Sequence, residues 1–175
     1  MSRFGIKALL VAVVAFALST VASAQSINTF FSNNYFSATF DSVVTAEPAS
    51  RNNENTSSDY LFHSETPAIW EGVNVRIVDH DIPVGFQSTD FYADNQARQA
   101  SGDSGIVISR SQTYYQGHPV TYICTSFADR GQTYWVRTRY ILVNARVTIW
   151  VKMISLQADS DQNEWERFEN SVTIK

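Results

Sequence analysis

The sequence predicts an α+β fold in which one antiparallel β-meander sheet of about six or seven strands carries two main helices. Three observations lead there. Four β-rich runs follow one another in the second half, Ile106 to Arg110, Val120 to Phe127, Thr133 to Val143 and Arg146 to Leu156, and the short turn segments between them are links that join antiparallel strands. Two further segments, one before this meander and one after it, repeat apolar residues at helical spacing. No internal repeat or linker divides residues 25–175, which read as a single domain.

Taken in order, the chain opens with Arg3 and Lys7 ahead of the apolar run Ala8 to Ala17, which ends in Ala22-Ser23-Ala24. That is the pattern of a secretory leader, so residues 1–24 are expected to be removed and the remainder to be exported, to a periplasm or beyond. The segment has no cysteine at its end to carry a lipid anchor, and no other apolar run approaches the roughly 18 residues of a membrane span. Tyr35 to Phe40 alternates as a first strand, and Ala49 to Asp59 is a polar loop. Tyr60 to His63 and Val73 to Val78 give two more strands, the second stopped by Pro83. A helix follows Gly85, with Ser88 or Thr89 as its cap, Gly102 as its end and Phe91, Tyr92, Ala93, Ala97 and Ala100 as its apolar stripe. After the meander, Asp159 to Asn170 forms the second helix, capped by Asp159 or Ser160 and docked through Trp165, Phe168 and Val172.

Charge narrows the partners. Thirteen basic side chains face 17 acidic ones, and removal of the leader leaves 11 against 17. This acidic balance, with no basic run, argues against nucleic acid. Seven scattered glycines make no phosphate loop, and no cofactor or metal is implied. Cys124 has no partner in the chain and sits in a strand-like run where a small buried thiol is ordinary.

The hairpin between the last two β-rich runs permits a register argument. With Asn144-Ala145 as the turn, Val143 faces Arg146, Tyr140 faces Ile149 and Val136 faces Met153. One face then holds Val136, Thr138, Tyr140, Leu142, Val147, Ile149, Val151 and Met153, and is the core. The opposite face holds Trp135, Arg137, Arg139, Ile141, Thr148, Trp150, Lys152 and Ile154. Arg137, Arg139, Trp150, Lys152 and Trp135 thus form one cationic and aromatic patch on an acidic protein. It is the candidate surface for an anionic or ring-bearing ligand or a protein partner, and stacking of Arg139 on Trp150 within the fold is the structural account of the same residues.

Two motifs offer catalysis instead. Gly102-Asp103-Ser104-Gly105 resembles a serine-protease nucleophile segment, but neither His63 nor His80 lies in that family's flanking pattern, and its two barrels need a longer chain. Asp79-His80-Asp81 has metal-ligand chemistry, yet alternation along a strand sends His80 away from the two carboxylates. A small periplasmic hydrolase using Ser104 or Asp79-His80-Asp81 is the alternative to a binding module.

The order of elements, with Gly117-His118-Pro119-Val120 opening a strand, Leu142-Val143-Asn144-Ala145-Arg146-Val147 at a hairpin and Phe168-Glu169-Asn170-Ser171-Val172 leaving the last helix, resembles the PsbP-like fold and its DcrB-like periplasmic members. The resemblance implies a sandwich of sheet and helices and an interaction or accessory role before catalysis. It transfers no catalytic residue.

The leader reading is checked by intact mass of the exported protein, which is expected to begin at Gln25; retention of Met1 in that material overturns it.

Overall fold

The computed structural model describes residues 28–52, 56–102, 105–129, 131–156 and 162–175, so the expected leader, Ser104 and the candidate caps Asp159 and Ser160 lie outside the described residues. Its elements are β1 (Thr29–Ser32), β2 (Phe36–Phe40), β3 (Thr45–Ala46), β4 (Ser50–Arg51), β5 (Ser57–Glu65), β6 (Ile69–Val78), α1 (Phe86–Gly102), β7 (Ile106–Tyr115), β8 (His118–Asp129), β9 (Gln132–Asn144), β10 (Val147–Ser155), α2 (Gln162–Ser171) and β11 (Thr173–Ile174). This corrects the expected α+β sandwich of six or seven strands. The described residues are mostly β, with eight strands in one antiparallel sheet, ordered β3-β5-β6-β10-β9-β8-β7 with β4 also on β5, and three in a second, ordered β1-β2-β11. The strands that the sequence hid are two to four residues long, too short for a period of two to show, and they are fixed by their partners. Among the described residues no helix is long and apolar enough to cross a membrane.

The main core lies between one face of the large sheet and a cover made of α2 and the small sheet. Val73 and Val75 of β6, Ile149, Val151 and Met153 of β10, and Val120 and Ile141 meet Phe36, Ala38 and Phe40 of β2 with Trp165, Phe168 and Val172. Trp165 and Phe168 therefore dock α2 as their spacing indicates, with Phe40 and Phe168 5.3 Å apart and Tyr122 and Trp165 5.9 Å apart. The C-terminal end of α2 is held by the β7–β8 turn, where the Tyr115 hydroxyl donates to the carbonyls of Glu169 and Val172. Both central residues of that turn, Gln116 and Gly117, have positive φ, of 52° and 83°, as a two-residue hairpin link between twisted strands requires.

The other face of the sheet carries α1 over β7, β8 and β9. Ser88 and Thr89 are not its cap. Both are buried within the helix, their hydroxyls donating to the carbonyls of Pro83 and Phe86, and the helix starts at Phe86 behind Gly85 at a φ of 94°. Its buried stripe is Thr89, Ala93, Gln96 and Ala100, while Phe91 is 59% exposed. The sheet beneath explains this, because Thr121 and Thr125 point up and pair with Thr89 at 2.8 Å and Gln96 at 3.1 Å. A polar stripe on a polar sheet face is invisible to a search for apolar periodicity.

One carboxylate is buried in the main core. Glu71 of β6 is 1% exposed, accepts the Asp41 amide at 2.7 Å and is paired with Arg167 of α2. Arg167 also donates to the Thr39 carbonyl at 3.1 Å and to Glu164 at 2.8 Å, so this ion pair ties α2 to both sheets. Burial pushes the Glu71 carboxyl up to about 7, against the pull of the Asp41 amide and the Arg167 charge. Because the folded state holds that proton more tightly than the unfolded chain, Glu71's contribution to stability is complete below its unfolded value near 4.5 and is lost as pH rises through about 7. Urea melts of wild type and Glu71→Gln between pH 4.5 and 7.5 are therefore expected to diverge, the wild type losing roughly 3 kcal/mol more as pH rises; parallel curves overturn this assignment.

Candidate functional site

The face beneath and beside α1 is built from cross-strand rows. Strand pairing aligns Asp59, Arg76, Thr148 and Leu142 in one row. Leu61, Asn74, Trp150 and Tyr140 form the next, and then His63, Gly72, Lys152 and Thr138. The Arg76 guanidinium is the electrostatic centre of this surface. It donates twice to Asp59, at 2.7 and 2.9 Å, and lies 4.5 Å over the Trp150 ring and 5.6 Å over Tyr92 of α1. Burial works against its charge, but the paired bonds and attraction of Asp59 outweigh it and raise its pKa. Beside Arg76, between the first half of α1 and the ends of β5 and β6, an open cleft of 370 Å³ is lined by Val78, His80, Ile82, Phe91 and Tyr92 among others. Phe91 and Tyr92 meet edge to face at 5.6 Å, so the helix presents an aromatic wall to this space.

The patch expected from the hairpin does not exist as one surface. The β9–β10 turn is Ala145-Arg146, and Asn144 closes it as an Asx turn whose side chain accepts the Arg146 amide at 2.8 Å. Moving the turn by one residue leaves every face unchanged. What changes them is a bulge: Asn144 pairs with Val147 but Leu142 pairs with Thr148, which leaves Val143 as an extra residue. From there Trp150 faces Tyr140 and Lys152 faces Thr138, while Val151 faces Arg139 and Met153 faces Arg137. A shift of one residue exchanges the faces of β9 relative to β10. Trp150 and Lys152 lie on the α1 side, and Trp135, Arg137 and Arg139 lie on the α2 side.

The two arginines are used within the fold there. Arg137 is 4% exposed and sits 5.6 Å over Trp135. Arg139 lies 4.6 Å over Tyr115 and pairs with Glu169 of α2 at 2.7 Å. Arg139 does not stack on Trp150; Arg76, which the sequence reading did not single out, takes that place. Its signal was available, because the alternation Val73-Asn74-Val75-Arg76-Ile77 places Asn74 and Arg76 together opposite the core side of β6.

Asp79-His80-Asp81 is likewise divided. Asp79 lies 3.9 Å from Arg51, Asp81 is bonded to Arg146 at 2.6 Å, and His80 lines the cleft. Among the described residues no group of three metal-ligating side chains forms. Cys124 is buried, and burial raises its pKa, which suppresses the reactive thiolate.

No protein-family model and no curated protein matches the sequence. Solved structures do match, among them a Pseudomonas aeruginosa protein of unknown function, PA94, at 15% identity and a TM-score of 0.40, the match covering 68% of this chain and 90% of that one.

Breaking a buried ion pair strands its other charge, at about 3–5 kcal/mol. Arg139→Met is therefore expected to destabilise the protein by that order, and Glu169→Gln in the same chain to recover part of the loss. Additive losses in the double-mutant cycle overturn a structural Arg139–Glu169 pair.

Proposed function

We propose that this protein is a non-enzymatic binding or accessory module, exported to a periplasmic or external compartment, that takes a small ligand on the α1 side of its large sheet. The observation that carries the reading is the 370 Å³ cleft, which has the size of a small-molecule site and joins an aromatic wall to a few polar groups, His80 and Arg76 among them. Export rests on the leader-like start of the chain, and the acidic balance favours a ligand or protein over nucleic acid. The resemblance to PsbP-like and DcrB-like proteins points the same way, toward accessory rather than catalytic roles.

The test uses variants at exposed positions. Gln87→Trp places a bulky ring at the cleft mouth, and Phe91→Ala removes the rim aromatic, both at little expense to the core. In ligand-observed NMR with a set of ring-bearing fragments, wild type is expected to bind a subset that both variants bind at least about tenfold more weakly, a change of about 1.4 kcal/mol. Binding that is untouched by both substitutions overturns the cleft. Hydrolysis of an activated ester that disappears in His80→Ala overturns the non-enzymatic reading.

A further inference from the structure

We infer that the face of β6 and β10 beyond the cleft is a second site, in which Lys152 receives the carboxylate of a flat, ring-bearing ligand resting on Trp70. The helix α1 lies over β7, β8 and β9, and its Tyr92 reaches only as far as Arg76 and Trp150. Lys152 stands one row further along, between Gly72 and Thr138. Among the described residues its ammonium has no carboxylate, hydroxyl or carbonyl partner, although Arg76, Arg110, Arg139, Arg146 and Arg167 are each paired with an acid. The Asp59 carboxylate on this face is taken by Arg76, and Glu47 beside β5 is bonded to His63 at 3.1 Å. A half-buried cation without a counter-charge is an unusual arrangement in a finished fold, because such a group is ordinarily paired. Burial lowers the Lys152 pKa, and an anion at the ammonium opposes that effect.

The neighbouring positions define what else the ligand carries. A side chain at position 72 would meet the Trp70 ring, whose nearest atom lies 2.2 Å from where a Cβ would stand. Gly72 therefore lets the indole lie flat along the sheet, in the row next to Lys152, and the same ring stacks on His63 at 5.7 Å and 19°. The result is an aromatic platform beside an unpaired ammonium. Around it the buried His63 Nδ1, Asn74 Oδ1 and Trp150 Nε1 have no hydrogen-bond partner, a concentration of unsatisfied polar atoms on one part of one face. A planar acid satisfies both halves of this chemistry, its ring on the indole and its carboxylate on the ammonium.

The probe is 2-naphthoate, compared with its neutral isostere 2-naphthamide and read by quenching of tryptophan fluorescence in the full exported protein. Wild type is expected to prefer the acid by at least about tenfold, Lys152→Arg to keep that preference, and Lys152→Met to lose it. Lys152→Met removes a half-buried charge, so its fold is expected to be retained, and a thermal melt no lower than wild type confirms that the loss is local. Gln87→Trp, which blocks the cleft, is expected to leave naphthoate binding intact, so failure of the cleft and failure of this site are separable. Equal affinity for acid and amide, undiminished binding by Lys152→Met, or loss of binding in Gln87→Trp overturns the proposal.

Discussion

The pairing of Glu71 with Arg167 is the constraint that orients the rest of the molecule. Three pieces of chain distant in sequence meet there: the start of β6, the end of β2 through the Asp41 amide and Thr39 carbonyl, and the middle of α2. The apolar contacts of Trp165 and Phe168 dock α2 without fixing its rotation, which falls to directional bonds, this pair first and the Arg139–Glu169 pair beside it. Dispersion and apolar burial are non-directional, whereas a charged fork with three acceptors is satisfied in one geometry. The Ser171 hydroxyl, accepting from the Thr39 amide at 2.9 Å, and Tyr115 at the helix end confirm the same placement from either side. The result is a sheet with two unlike faces, one sealed by α2 and the small sheet and one only partly covered by α1.

Much of this was legible because it follows from strong periodicity. The alternation of Val73 and Val75 and the spacing of Trp165, Phe168 and Val172 each identify an element and its buried side, since each side chain contributes apolar area to the same core, whereas the run from Thr133 to Val143 identifies an element but not which of its faces meets that core. The short strands β1, β3, β4 and β11 were not legible, and neither was the polar stripe of α1, because both depend on partners that the local sequence does not contain. The eight-stranded sheet follows from these additions.

The hairpin shows why a site can be lost while a fold is kept. All four meander strands were foreseen in their correct order, and in the β9–β10 ladder Val143 alone entered as an unpaired residue. In fold terms that is a local irregularity, but in side-chain terms it carries Arg137 and Arg139 to the opposite face from Trp150 and Lys152. A bulge has no secure signature in this segment, where Asn144-Ala145-Arg146 supports either turn and only the closing hydrogen bond to Asn144 decides. Any surface inferred from two strands at once inherits that sensitivity, whereas a surface inferred along one strand does not.

That distinction gives the α1 side its functional interest. Asn74 and Arg76 share a face by alternation within β6, as do Trp150 and Lys152 within β10, and the β6–β10 pairing runs without a shift from Val147 to Ser155. The two pairs are therefore joined by regular geometry across neighbouring strands. On the α2 side every arginine near the core has been given a carboxylate or a ring, and the charges there serve to lock helix to sheet. On the α1 side Arg76 has been satisfied in the same way by Asp59, Trp150 and Tyr92, but Lys152, two residues along β10 from Trp150, has no such partner among the described residues. The contrast separates charges that have been neutralised to hold the structure from one that has not, and it is the ground for proposing recognition where α1 ends its cover.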